Sequence, residues 1–212
     1  MFTNPAGAFF QNNNSILPRF TDYVRSLVLS PTNDQDSSAV PGKSGASDPP
    51  ITHLIDAYCG SGLFTIALSS LGLTSTGIDI SSSSIASAQH NADLNKLAPS
   101  STKFRAADAV AIFADVTSPP EQTVVIIDPP RKGCDENFLN QLLAFAPRRL
   151  VYVSCNVHTQ ARDVAILVEG STKAEGGHHK KTRYELKSLR GLDFFPQTGH
   201  VESVAFLERS KD

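Results

Sequence analysis

Three reactive side chains in this sequence stand at the edges of apolar runs. Cys155 follows Leu150–Ser154 in LVYVSCN, Asp128 closes VVIID before PPRKG, and Glu202 opens the run in GHVESVAFL. A thiolate is a strong nucleophile, and splitting a hard substitution into covalent steps is what such a group does. A helix start just after Cys155 is expected to lower its pKa. A carboxylate against an apolar wall gains basicity and can take up a proton. Alternation puts His200 and Glu202 on one face of their strand. Each residue also has a plainer reading. Cys155 could be an inert buried thiol, as Cys59 and Cys134 are read. Asp128 could cap a turn, and Glu202 could be a solvated edge residue.

A fourth group lies upstream. In LIDAYCGSGLF, residues 54–64, a strand runs into a turn built on Gly60 and Gly62. Glycines there let a ligand approach the backbone. Asp79 ends the next strand, TGIDI, where an acidic side chain can bind both hydroxyls of a ribose. The third glycine of the dinucleotide fingerprint is missing, and Phe64 follows the turn. That pattern fits a nucleoside cofactor without phosphates, such as S-adenosylmethionine. A G-x-G turn alone also serves as a tight connection that binds nothing. Arg131 and Lys132 could meet a phosphate, or simply face solvent.

The elements that must hold these residues alternate. Strand patterns cover His53–Tyr58, Thr76–Ile80, Lys103–Ala106, Val124–Asp128 and Leu150–Ser154. Helical patterns cover Leu63–Leu71, Ser82–Leu97, Asp108–Ala114, Glu136–Phe145 and Thr159–Val168, with another beginning near Ile16. Short, continuous apolar runs alternating with helices predict an α/β fold around a mostly parallel sheet. Tyr184–Phe195 and Val201–Leu207, joined by Pro196-Gln197-Thr198-Gly199, predict a C-terminal antiparallel pair, with Pro196 and Gly199 building the turn. Two Ser/Gly/charge-rich stretches, 30–50 and 169–183, read as flexible loops.

The chain has 212 residues, 40% of them apolar and 19% charged, and a net charge of −2. One α/β domain spanning 1–212 is expected. No apolar run approaches the ~18 residues of a membrane span, and no secretory pattern opens the chain. Three unpaired cysteines predict neither disulfides nor zinc, and a reducing compartment. If RNA is the partner, this acidic chain must use a local patch, with Arg131, Lys132, Arg148, Arg149 and the HHKK run as its candidates, or rely on a further module.

Taken together, four ordered motifs resemble one family, the RNA uracil-5-methyltransferases that use S-adenosylmethionine. DAYCGSGLF is similar to the family's cofactor loop, DPPRKG to its signature strand tip, SCN to its nucleophile motif, and FPQTGHVE to its general-base motif. GAFFQNNN resembles the segment whose glutamine touches the cofactor. The wording is closest to the fungal or other eukaryotic tRNA branch. The resemblance implies a Rossmann-like class I methyltransferase fold. It implies Cys155 as nucleophile, Glu202 as base, and Gln11, Tyr58, Gly60, Gly62, Asp79 and Asp128 at the cofactor. Arg131, Lys132 and His200 would lie near RNA. Leu63 stands where bacterial members often have a polar residue. Family members usually carry an N-terminal RNA-binding β-barrel, so the chain reads as the catalytic domain alone.

The implied reaction is 5-methyluridine formation, with the tRNA T loop as the expected target. Cys155 attacks C6, the methyl group is transferred to C5, and Glu202 removes the C5 proton. The expected protein is an intracellular monomer with no metal, in cytosol, nucleus or mitochondrion. Competing readings are a ribosomal RNA uracil methyltransferase, a cytosine-5 RNA methyltransferase, a small-molecule methyltransferase, and a silent RNA-binding or RNA-folding module.

Overall fold

The structure, a computed structural model, describes residues 1–4, 11, 13–29, 48–107, 112–113, 116–170 and 182–211. Most of the two loop segments, including the HHKK run, lies outside the described residues. So do Phe9, Phe10 and all but two residues of the helix expected over 108–114.

Seven strands form one sheet: β1 His53–Ala57, β2 Thr74–Asp79, β3 Thr102–Ala106, β4 Thr123–Ile127, β5 Arg149–Ser154, β6 Tyr184–Leu192 and β7 Glu202–Arg209. Their order is β3-β2-β1-β4-β5-β7-β6. The first five are parallel neighbours, and β7 enters antiparallel between β5 and β6. The expected α/β fold with an antiparallel C-terminal pair is what forms. Among the described residues no helix is long and apolar enough to cross a membrane.

The central strands are buried on both faces, which is why they read as unbroken apolar runs. All five residues of β4 are buried. Side-chain alternation sends Ile55, Val125, Ile127 and Tyr152 into one core and Leu54, Val124, Ile126, Val151 and Val153 into the other. Helices α4 (Glu136–Phe145) and α5 (Val157–Glu169) cover the first core, through Phe138, Leu139, Leu142, Leu143 and Leu167. Helices α1 (Leu17–Leu29) and α2 (Leu63–Ala67) cover the second. In α1, Phe20, Val24, Leu27 and Val28 share one face by helical spacing. Helix α3 (Ser82–Leu94) packs on β2 and β3, capped by Ser81. The expected helix over 63–71 breaks after Ala67, and Ser69–Leu71 tightens into a 3-10 turn ended by left-handed Gly72.

Arg148 and Arg149 belong to this framework rather than to a basic patch. Both are buried at the lower sheet edge. Arg149 pairs with Glu208 at 3.0 Å and donates to the Val28 carbonyl at 2.9 Å, and Arg148 donates to the Pro49 carbonyl. Burying guanidinium groups is tolerated only with such partners.

Phe20 meets Phe64 and Phe194 edge-on, with ring centroids 5.6 and 4.9 Å away. The aromatic cluster fastens α1 over the sheet. Phe20→Ala should cost about 3–5 kcal/mol in denaturant unfolding; a loss under about 1 kcal/mol would mean that α1 contributes little to the core.

Candidate active site

The parallel strands end at one edge, so Tyr58, Asp79, Asp128 and Cys155 follow or close β1, β2, β4 and β5 on the same side. Because β7 runs the other way, its first residue, Glu202, starts there too, and Ser203 pairs with Ser154. Two cavities open at this edge. One, about 470 Å³, is lined by residues including Tyr58, Asp79, Ile80, Ile112, Asp128 and Pro130. The other, about 460 Å³, is lined by Pro130, Arg131, Cys155, Phe195 and His200. Pro130 is a wall of both, and both volumes suit small-ligand sites.

The turn beside the first cavity uses three left-handed residues, Tyr58 (φ 63°), Gly60 (φ 52°) and Gly62 (φ 88°). The two glycines do different jobs. A Cβ on Gly60 would meet nothing within 4 Å, whereas one on Gly62 would lie 3.1 Å from Ile66 and Phe104. Gly60 therefore leaves open space, and Gly62 lets the turn pack closely. Asp56 lies wholly buried beneath. One of its oxygens accepts from the Thr65 amide (2.9 Å) and hydroxyl (2.7 Å), which anchors the start of α2. Its other oxygen has no partner, and burial pushes the pKa to about 6.

Asp79 accepts from the Gly60 amide at 3.0 Å through one oxygen and from the Ser81 amide at 2.8 Å through the other. Each oxygen keeps a free lone pair for a further donor. The Tyr58 ring packs on Phe138 with centroids 5.1 Å apart. Asn91, absent from the sequence-based site, donates to the Ser61 carbonyl at 3.1 Å and accepts from the Thr3 amide at 2.8 Å. Nothing in a helical asparagine's sequence context reveals such a long-range bond. Gln11 is buried but lines neither cavity.

SCN supplies one wall of the second cavity, Cys155. The Ser154 hydroxyl donates to the Asn156 carbonyl and accepts from the Asn156 amide, both at 3.1 Å, which turns the chain sharply. Asn156 then caps α5 by accepting from the His158 amide at 3.1 Å. Cys155, half-buried, is left facing the cavity. The expected lowering of its pKa is not found. Burial, Glu202 and Asp128 all raise the thiol, and Arg131 opposes them only in part. Burial first, and then the two neighbouring carboxylates, set the direction.

Glu202 is 1% exposed, and neither carboxylate oxygen has a hydrogen-bond partner. Burial pushes its pKa to about 7. Asp128, partly buried at its strand tip, is raised well above the usual range by burial, then by Glu202 and Asp56. Three desolvated carboxylates thus crowd one region. His200 does not share a face with Glu202: it precedes β7 and is exposed, so alternation does not reach it. It meets Arg131 instead, at 3.1 Å from Nδ1. Lys132 is exposed and lines the first cavity. The left-handed turn residue is Gln197 (φ 64°) rather than Gly199. Among the described residues no group of three or more His, Cys, Asp or Glu could hold a metal ion.

Known proteins match this chain in two parts. The family model for ribosomal protein L11 methyltransferase matches residues 46–125, and that for tRNA (uracil-5-)-methyltransferase matches 114–210. Only the second span holds Asp128, Cys155 and Glu202. The chain is 46% identical to a Schizosaccharomyces pombe tRNA (uracil(54)-C(5))-methyltransferase, covering 98% of this chain and 36% of that protein. It is 44% identical to the Saccharomyces cerevisiae protein of the same name, covering 98% and 29%. It thus spans about a third of these relatives' length. A crystal structure of the Pyrococcus abyssi tRNA (uracil-54, C5)-methyltransferase with S-adenosyl-L-homocysteine superposes with a TM-score of 0.69 at 29% identity, covering 95% of this chain and 40% of that one.

The raised Glu202 pKa has a stability consequence. The unfolded carboxyl titrates near 4.5 and the folded one near 7, so the folded state holds its proton more tightly. The stability this gives is full below pH 4.5 and is lost as pH rises through 7. Relative to Glu202→Gln, the wild-type chain should lose on the order of 3 kcal/mol between pH 4.5 and 8. Parallel stability–pH curves for the two proteins would show that Glu202 is not desolvated.

Proposed function

The chain belongs to the tRNA (uracil-5-)-methyltransferase family, and from that premise we propose that it methylates C5 of a uracil in RNA with S-adenosylmethionine as methyl donor. The substrate is tRNA, with uracil 54, the position in the fungal relatives' names, as the target. The observation that carries this reading is Glu202. A buried carboxylate with two unpartnered oxygens destabilises the fold, and its place beside Cys155 gives it a use.

The first cavity fits the cofactor. Asp79 retains lone pairs for the ribose hydroxyls, and Ile80 and Ile112 offer apolar surface to a nucleobase. Asp128, crowded by two other carboxylates, favours a cation in that cavity. S-adenosylmethionine, when bound, supplies a methyl group on a positively charged sulfonium. The second cavity, with Cys155 and Phe195 in its walls, suits a flat pyrimidine that has left its stack, at a cost of about a few kcal/mol.

Cys155 gives its proton to solvent and adds to C6, forming an S–C6 bond while the C5–C6 π pair shifts to C4–C5 and the C4 carbonyl π pair moves onto oxygen. Arg131 favours the thiolate. C5, now nucleophilic, would receive the methyl group, the S–CH3 bond breaking with its electron pair left on sulfur as a neutral thioether. Glu202 takes the proton from C5. The C–H electron pair restores the C5–C6 double bond, and Cys155 leaves as thiolate. A base with a pKa of about 7 takes that proton far better than an ordinary carboxylate would.

Incubation with S-adenosylmethionine and tRNA containing 5-fluorouridine tests this. Fluorine blocks the last proton transfer, so a denaturation-stable adduct should form and map to Cys155. Cys155→Ala should form none. Glu202→Gln should accumulate adduct on ordinary tRNA and turn over about 10²–10⁴-fold more slowly. Adduct at another residue, or normal turnover by Glu202→Gln, would overturn the assignment.

A further inference from the structure

The loop between the two cavities, residues 129–134, is held by one face of α5. Asn156 Nδ2 donates to the Arg131 carbonyl at 2.9 Å. Two turns on, Arg162 Nη2 donates to the carbonyls of Lys132 and Cys134, both at 3.1 Å. Asp163, fully buried, accepts from the Cys134 amide at 2.8 Å and the Tyr152 hydroxyl at 2.6 Å. Arg162 Nε closes the set by donating to the other Asp163 oxygen at 2.8 Å. The approach is so close that a Cβ on Gly133, whose φ is +78°, would fall 2.7 Å from Arg162 Nη2 and from Asp163 Oδ2.

This placement is more than packing. Pro130, Lys132 and Gly133 line the first cavity, while Pro130 and Arg131 line the second. The same helix begins one residue after Cys155-Asn156. A rigid helix that grips the loop at several points therefore fixes the spacing between nucleophile and loop, which the β4–β5 ladder leaves free beyond its last pair, Ile127 with Tyr152.

We propose that Arg162 and Asp163 are positioning residues: through the backbone of Lys132 and Cys134 they hold the shared wall of both cavities, and with it the adjoining Arg131 guanidinium, in register with Cys155. This rests on the reading of Cys155 as the nucleophile. Neither side chain touches either reacting atom. Arg131 is the cation that faces the thiol, with His200 bonded to it in the same cavity wall, against Asp128 from the β4 tip and Glu202 from β7. Asn156 and Thr159 still tether the Arg131 carbonyl, so loosening residues 132–134 shifts the Arg131 guanidinium without freeing its backbone, while both carboxylates stay, because they belong to strand ends.

Arg162 is half-exposed, 52% by its side chain, so the chain should fold without it. Two readouts are used: kcat for methyl transfer to tRNA, and the pH profile of Cys155 alkylation by iodoacetamide, followed by peptide mass spectrometry without RNA. Arg162→Ala should lower kcat about tenfold and move the alkylation profile upward by at least half a pH unit. Arg162→Lys, which keeps a donor for the two carbonyls, should recover most of both. Tyr184→Phe, which removes a buried bond to the Pro147 carbonyl away from the site, should lower Tm and leave both unchanged. An unshifted profile in Arg162→Ala, or failure of lysine to restore either readout, would overturn the proposal. If the wild-type chain methylates no RNA, the functional reading fails, and the alkylation profile still decides whether α5 positions the loop.

Discussion

The pairing of Ser154 with Ser203 is the constraint on which the site depends. Parallel strands deliver only their C-terminal ends to the upper edge of the sheet. A strand that enters antiparallel delivers its beginning there. By lying against β5, β7 sets Glu202 beside the residue that follows β5, which is Cys155. A seventh strand in parallel orientation would carry the same sequence to the opposite edge and separate the two groups. The order β4-β5-β7 then lines up Asp128, Cys155 and Glu202 at one edge, with the loop after β4 bridging them.

What the fold brings together is electrostatically unfavourable at rest. Asp56, Asp128 and Glu202 are each raised by burial, and Asp128 is further raised by the other two. The same crowding raises Cys155. Such crowding disfavours negative charge on these groups and raises their basicity, and the surrounding apolar cores supply the stability that tolerates it. The polar bonds that can be made are made around the site rather than in it: Thr65 on Asp56, Gly60 and Ser81 on Asp79, and the α5 face on residues 131–134. They fix the backbone and leave the Glu202 oxygens unengaged.

The two halves of the chain divide the work. The first half, matched by a family model of a protein methyltransferase, builds the turn and the Asp79 strand end. The second half, matched by the uracil-5 model, carries Asp128, Cys155 and Glu202. Sharing a fold says little about the chemistry it hosts; the residues at the ends of β4, β5 and β7 lie only in the second span.

The sequence by itself determined the alternation of strands and helices, the antiparallel tail and the residues at the strand ends, because each rests on a local period or a turn signal. LVYVSCN announces a strand and its tip without help from the rest of the chain. It could not reveal that His200 leaves the face of Glu202, that Arg148 and Arg149 are buried at the lower edge, or that Gln197 and not Gly199 takes the left-handed turn. The place of His200 and the burial of the two arginines follow from partners 59 to 121 residues away along the chain. The direction of the Cys155 pKa escapes the sequence for a related reason: a helix start is visible there, whereas the burial of the thiol and two carboxylates on other strands are not. Only the tertiary structure decided the long-range bonds of Asn91, Arg162 and Asp163, because a hydrogen bond between distant segments leaves no periodicity behind.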